Sequence, residues 1–567
     1  MNVTPRSVPT RASLRSVVVA TAVALALAGC GANNPGTAAS AAGAPVAVQK
    51  GGTLTILGSS TEISWDPAKS QGLAITSLGL VERRLTTWAA QPGKPATVVP
   101  DLATSTGAVS DGGATWTYTL KDGIEFEDGT PITSADIKYG VERSFAPELS
   151  GGLGYHKSLL VGGDKYAGPY KGASLASIVT PDKKTIVFHL NAAYGDWPWI
   201  VSHPAFAPVP QAKDNVKTYT KQPVASGPYR VAATQEGVSV TLKRNEHWDL
   251  KTDDVRTAGP DSIVFSLGQD ATVTAQRLIA DSGADKNAFS ATFVPPAQLA
   301  AALKSPTASK RLVTSGAGAL AYLAINTQRP GLDNVLVRKA IEYAVDKQAF
   351  LVASGGATGG QIATTLITPG IAGRKAFDLY AAPASGDVAQ AKKLLADSGW
   401  TPNRELVLLS EDDQVSLSQA QAIKQGLERA GLKVAIKPEA EAAVTEAITQ
   451  GPGAFDLTVS SWQPDFPSAS ANIQPLFDSS QIGKGGRNLS RYSAKEADAL
   501  IAKATTEVDP AKAGATWAQA DRRILTDAPV VPLIYTRNSF LHGSNVASFF
   551  IPAFPAYPNY LKVSLLQ

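Results

Sequence analysis

The chain has 567 residues, 44% of them apolar and 18% charged, a globular composition that fits neither a disordered segment nor a multispanning membrane protein. Its single cysteine, Cys30, excludes an intramolecular disulfide framework, a cysteine-based zinc site and an iron–sulfur cluster. The formal charge of +4 owes three units to Arg6, Arg11 and Arg15; the remainder holds 49 basic against 48 acidic residues, which leaves no electrostatic footprint for nucleic acid.

Residues 1–16 carry three Arg and no acid, and residues 17–28 (VVVATAVALALA) form an apolar run of twelve. As a helix that run rises about 18 Å, short of the roughly 30 Å hydrocarbon core. Residues 1–29 therefore read as a secretory signal peptide rather than a span. Leu27-Ala28-Gly29-Cys30 resembles a bacterial lipobox, which implies cleavage before Cys30, acylation of the exposed cysteine and stable anchoring by two or three chains. Ordinary secretion with an incidental cysteine is the alternative. Residues 30–50, rich in Gly, Ala, Ser and Pro, read as a flexible tether with a reach of roughly 25 Å.

From Gly51 short strands alternate with turn signals. Leu54 to Leu57 is the first strand. Thr115 to Leu120 alternates at period two and, with Lys121-Asp122-Gly123 as a turn, predicts a hairpin continuing through Ile124 and Phe126. Further strands are expected at Thr185 to Leu190, Val238 to Leu242 and Ser262 to Leu267. Val337, Ala340, Ile341, Ala344 and Val345 then form an apolar helical stripe, with Arg338, Glu342 and Lys347 on the opposite, polar face. A second stripe runs through Val388, Ala391, Leu394 and Leu395 and closes at Gly399. A third runs through Ala420, Ile423, Leu427 and Ala430 and closes at Gly431. Strands at Glu405 to Leu409, Leu432 to Ile436, Asp456 to Ser460 and Val530 to Tyr535 interleave with them. That alternation predicts α/β architecture over 320–535, and no repeat of 20–50 residues points to a solenoid or propeller.

Six segments in order then resemble the extracytoplasmic solute-binding proteins of ATP-binding-cassette importers, peptide, nickel and opine class. The most specific is Asp111 to Arg143 (DGGATWTYTLKDGIEFEDGTPITSADIKYGVER); the others are Gly51 to Leu54, Ser226 to Tyr229 with Leu242 to Asn245 and Trp248, Leu323 to Asn326, Val337 to Lys347, and Asn488 with Tyr492 and Asp498 to Leu500. Glu127 stands where many relatives have His, and Ser226 where Thr is common. The resemblance implies a two-lobed, hinged-cleft α/β fold of the periplasmic-binding-protein type. Lobe one is expected at 51–320, with an extra subdomain at about 90–215, lobe two at 321–536, and a return to lobe one at 537–567.

It also implies site residues. The turn Trp462-Gln463-Pro464-Asp465 matches a Trp-x-x-Asp segment that lines the cleft in peptide receptors, where the Asp pairs with the peptide ammonium. Asp465 could equally cap the loop or the next helix, and Trp462 could stack on ligand or sit in the core. Gln463 belongs to the same turn. Glu62, Trp65 and Asp66 follow the first strand where relatives approach ligand, or they form a plain turn on Asp66-Pro67. No Lys or Arg lies between Phe455 and Ser468, so a partner for a ligand carboxylate must come from elsewhere. Tyr229, Asn245 and Arg338 are expected to hold turns and helix packing.

No enzyme signature is present: neither G-x-S-x-G, a phosphate loop, a dinucleotide fingerprint nor H-E-x-x-H occurs. The five histidines lack metal-ligand spacing, and His189 reads as a satisfied strand residue. The expectation is a receptor, not an enzyme, that needs no cofactor or metal. A monomer tethered outside the cytoplasm to the cell membrane through Cys30, it captures a short peptide and delivers it to the permease and ATPase of an importer. A nickel-chelate, opine or sugar receptor of the same class is the alternative, and a secreted two-lobe hydrolase is the reading from another class.

Overall fold

The computed structural model describes residues 50–401, 404–451, 453–483 and 485–566. Met1–Ala41 and Ala42–Gln567 separate as two units. The expected signal peptide, Cys30 and all of the tether but Lys50 lie outside the described residues.

Apolar alternation builds three main sheets. In the first, five strands lie in the order Ala288–Ser290, Thr53–Leu57, Ser262–Ser266, Ser239–Arg244, Tyr229–Gln235. Thr53–Leu57 pairs in parallel with both neighbours, and the two later strands pair antiparallel. Period two sends Leu54, Ile56, Leu242 and Phe265 into one core, each at most 4% exposed. A second, antiparallel sheet takes Ala108–Ser110, Thr115–Thr119, Thr185–His189 and Ile178–Val179 in that order. Trp116 faces Phe188 and Tyr118 faces Ile186 across it, all buried. Helix Ser134–Arg143 starts here with a capping box between Thr133 and Asp136. It runs so close to Ala207 that a Cβ on Gly140 would fall 2.2 Å from the Ala207 carbonyl oxygen.

The predicted hairpin from Thr115 through Phe126 does not form. Both edges of Thr115–Thr119 are already taken, by Ala108–Ser110 and Thr185–His189. Residues 124–132 instead fold on themselves, with the Phe126 amide donating to the Thr130 carbonyl and the Ile132 amide to the Ile124 carbonyl. Ile124 and Phe126 are buried as expected, but through a local turn rather than a ladder.

The third sheet has six strands in the order Gly360–Ile362, Val530–Thr536, Leu320–Ile325, Leu457–Trp462, Leu406–Glu411, Val434–Glu439. The predicted strands of this region all appear, with ends that differ from the expected ones by at most three residues. Two separate cores flank it, one through Tyr322, Ile473 and Trp517 and one through Leu323, Ile341 and Ile423. Two chain segments connect it to the first sheet, and they pair with each other: Leu312–Thr314 lies antiparallel to Ser539–Leu541. Beyond that pair the chain returns to the first core, where Leu561, Val563 and Leu565 pack with Leu54 and Phe265. Among the described residues no helix is long and apolar enough to cross a membrane.

The helix expected around Val337 spans Val335–Ala344 with its apolar stripe buried, but its polar face is covered as well. Arg338 is 7% exposed and donates to the carbonyls of Leu332, Asp333 and Asp527, the packing role expected of it. Glu342 is 3% exposed, its two oxygens lack a hydrogen-bond partner among the described residues, and Lys347 Nζ stands 3.9 Å away. Burial lifts this carboxyl from 4.5 to about 8 against the pull of Lys347. Between those values the native state keeps a proton that the unfolded chain has released, so stability falls as pH rises through the window and is level above it. Glu342→Gln removes the titration. Thermal unfolding from pH 5 to pH 8.5 is expected to lose on the order of 2–4 kcal/mol less in the variant. An unchanged slope would show that Glu342 does not hold the proton.

Candidate functional site

Four strands of the six-stranded sheet run the same way: Leu406–Glu411 is parallel to both Val434–Glu439 and Leu457–Trp462, and Val530–Thr536 joins them through the antiparallel Leu320–Ile325. Their carboxyl ends bring Glu411, Ser460, Ser461 and Thr536 to one side, the place where open α/β sheets bind ligands. A cavity of about 580 Å³ opens there, within the 300–1,000 Å³ usual for small-molecule sites. Its opposite wall is apolar and comes from the segment that follows the first sheet, including Phe293, Val294 and Leu299. The cavity therefore lies between the two large sheets, next to the paired connecting segments.

Among the described residues three charged side chains line it: Glu411, Arg487 and Arg537. Arg537 donates to the carbonyls of Gly316 and Ala357 and to Gln361 Oε1, one hydrogen bond from each of its nitrogens. Glu411 is raised by burial and by Glu441, Asp413 and Asp412.

The Trp462 to Asp465 turn follows directly from the strand that supplies Ser460 and Ser461, although none of Trp462, Gln463 and Asp465 lines the 580 Å³ cavity. The expected capping role of Asp465 is not what the structure has. Ser468 is the N-cap of helix Ala469–Phe477, its hydroxyl accepting from the Ser470 amide. Asp465 instead accepts a 2.6 Å hydrogen bond from the Tyr155 hydroxyl, which stands on the second sheet's side of the molecule, 310 residues away in sequence. Burial raises the Asp465 carboxyl, while the Tyr155 bond and the charge of Arg487 pull it down. Trp462 is half-buried against the core and its indole N–H donates to the Ala471 carbonyl at 2.7 Å, which fixes the ring beside the turn.

More contacts join the same two surfaces. Phe466 packs edge-on against Tyr155 with centroids 5.6 Å apart and lies 5.6 Å from the His203 ring. Asp196 accepts from the hydroxyls of Ser468, at 2.6 Å, and Ser470. The Gly195 amide donates to the Thr505 carbonyl at 2.8 Å.

The residues expected after the first strand divide. Glu62 is exposed and, with Trp65, lines a separate cavity of about 360 Å³. Trp65 is 1% exposed and packs edge-on against Phe265, so its ring belongs to the first core. Asp66 is fully buried. It caps the short turn at Pro67–Lys69 and takes both terminal nitrogens of Arg143 at 2.6 and 3.0 Å, an internal ion pair rather than a ligand contact. Tyr229 donates to the Pro260 carbonyl and Asn245 to that of Gly227, both structural as expected. His189 shares a 3.1 Å hydrogen bond with Thr115, a satisfied strand residue. Sequence reasoning did not find Tyr155, Asp196, Glu411 or Arg487; no local motif marks them, because only the packing of distant segments brings them to this region.

Residues 97–484 match the family model described as bacterial extracellular solute-binding proteins, family 5. Among curated proteins the chain is similar to the glutathione-binding protein GsiB of Salmonella paratyphi A, 26% identical over 452 residues that cover 78% of this chain and 82% of that one. Among solved structures it superposes on a clavulanic acid biosynthesis oligopeptide binding protein 2 with a TM-score of 0.83 and 31% identity, over 92% of this chain and 96% of the other. The Helicobacter pylori periplasmic binding protein DppA, solved in complex with the peptide STSA, shares the two-lobed fold at a TM-score of 0.66 and 20% identity, over 92% and 99% of the two chains.

Proposed function

From the premise that the chain belongs to the bacterial extracellular solute-binding proteins of family 5, we propose that it captures a short peptide between its lobes and delivers it to an ATP-binding-cassette importer. The observation that carries the reading is the cavity of about 580 Å³ between the two large sheets, with the Asp465 turn continuing from its wall. Relatives that bind glutathione and oligopeptides support a peptidic ligand. A backbone can be held by main-chain hydrogen bonds while water fills the side-chain pockets, which makes broad specificity physically accessible.

In this reading Asp465 is the anchor for the ligand ammonium, with Trp462 and Gln463 beside it and Tyr155 orienting the carboxylate through its hydroxyl. Glu62 and Trp65 have less support, since the cavity they line is a different one. Binding needs no chemistry on the ligand and no cofactor. Lobe one is taken as 51–320 with the subdomain at about 90–215 and the return at 537–567, and lobe two as 321–536, a division supported by the membership of the sheets. Residues 1–29 act as the signal, and Cys30 with the 30–50 tether holds a monomeric receptor at the outer face of the membrane, beside the permease and ATPase it serves.

Calorimetric titration with a set of di- and tripeptides tests the function. Saturable binding of several sequences is expected; no heat from any peptide, with a nickel chelate, opine or sugar binding instead, would overturn the peptide assignment. Cys30→Ser tests the anchor: the variant is expected to leave the membrane fraction, and its retention there would show that Cys30 is not what holds the protein.

A further inference from the structure

We propose that the turn at residues 465–470 and the segment Gly195-Asp196 form a latch that holds the two lobes together without a ligand, so that the cleft is shut by default and must open to load, an inference that rests on the two-lobe receptor reading. None of Tyr155, Gly195, Asp196, His203, Phe466 and Ser468 lines the cavity of about 580 Å³. Their contacts are made by the protein with itself, so their strength does not depend on what the cavity holds.

Phe466 is the plug. Phe455 before it and Ala469 after it pack with Ile473 in a core of the six-stranded sheet. Phe466, 1% exposed, instead joins the core of the other lobe, with Trp65, Trp197 and Phe265. The Ser468 amide donates back to the Phe466 carbonyl at 2.8 Å, a tight turn from which the ring leaves its own lobe. Tyr155 and His203 form the socket, with centroids 5.6 Å from the Phe466 ring and 5.5 Å from each other. Burial, and then the charge of Arg84, lower His203 to about 3, so the socket presents a neutral ring to the plug.

Asp196 is the clasp. Its carboxylate accepts from the hydroxyls of Ser468, the N-cap of helix Ala469–Phe477, and of Ser470 in the first turn. An anion of one lobe thus sits at the positive end of a helix of the other. Beside it the Gly195 amide donates to the Thr505 carbonyl at 2.8 Å. A Cβ on Gly195 would fall 1.9 Å from the Glu507 carbonyl oxygen, and its next two neighbours are also in Glu507 and Val508. The Gly195 backbone lies outside the left-handed region, so alanine carries no strain of its own there. It acts as a wedge only when the lobes are latched.

The test uses the full chain, with Phe466→Ala removing the plug and Gly195→Ala wedging the seam from the opposite lobe. Small-angle X-ray scattering without peptide is expected to give each variant a larger radius of gyration than the wild type. In stopped-flow fluorescence with trialanine, association is expected to be about 10-fold faster in the variants, because more molecules are open. Calorimetric affinity is expected to fall about 10-fold, because the ligand alone must then drive closure. Faster loading with weaker holding is a pairing that a merely damaged site would not produce. Phe466→Leu, milder on folding, should move all three quantities the same way by less. Scattering and association unchanged in the variants would overturn the latch and leave the peptide reading standing. Weaker affinity with unchanged association would also overturn it, since the seam would then form only after the ligand is bound. A scattering shift with no trialanine binding by the wild type would support the latch and overturn the peptide reading.

Discussion

Asp465→Ala is expected to weaken binding of a short peptide with a free amino terminus by about 10- to 100-fold, the range of a charge-assisted hydrogen bond inside a closed site. The half-buried carboxylate has one oxygen committed to the Tyr155 hydroxyl at 2.6 Å, which orients the group without neutralising it. A ligand ammonium stripped of water needs such an anion. N-acetylation of the peptide should cost the wild type as much as the substitution does, and should cost the variant nothing further. Acidity adds a second reading. Burial raises the Asp465 carboxyl above 3.8, so the anchor protonates at a higher pH than a free aspartate would. Peptide affinity should therefore fall as pH drops through that raised value, and Asp465→Ala should lose this dependence. Unchanged affinity in the variant would remove Asp465 from the site.

The largest expected effect on stability comes from Asp101. This carboxylate, 2% exposed, accepts from Arg83 Nε at 2.7 Å, from Arg256 Nη1 and Nη2 at 3.0 and 2.9 Å, and from the Arg84 amide at 3.2 Å. Burial alone would push it up; Arg256 and Arg83 overcome that and hold it well below the usual carboxylate range. Asp101→Leu leaves two buried guanidinium groups with Asp253 as their remaining carboxylate, 3.0 Å from Arg256 and 3.7 Å from Arg83. Removing one partner from such a network costs about 3–5 kcal/mol. Denaturant unfolding at pH 7 should show the full loss. Because the folded value is depressed, the contribution is present above about pH 4 and disappears as pH falls further, so the gap between wild type and variant should narrow toward pH 2. A gap below about 1 kcal/mol at pH 7 would mean that solvent reaches these arginines.

The sequence was informative where burial is one-sided and local. Strands such as Thr53–Leu57 and Ser262–Ser266 advertise themselves by period two, and the helices ending before Gly399 and Gly431 by a glycine in the left-handed region, at φ +72° and +96°. The failed hairpin shows the limit. Lys121-Asp122-Gly123 offers turn chemistry, but pairing is decided by which strands compete for the two edges of Thr115–Thr119, and that competition spans some seventy residues. Site residues follow the same rule. Asp465 could be nominated because it sits in a recognisable turn, whereas its partner Tyr155 could not. Asp66 looked equally polar and equally near a strand, yet Arg143, seventy-seven residues on, claims it.

The return of the chain to its starting sheet has a consequence in time. Leu561, Val563 and Leu565 pack with Leu54, about five hundred residues earlier in the chain. The first strand can pair with Ser262–Ser266 and Ala288–Ser290 early, but its core stays incomplete until residues 561–565 have emerged, and contacts of such sequence separation close slowly. The order of synthesis thus lets the five-stranded sheet assemble before the segment that seals its core is available.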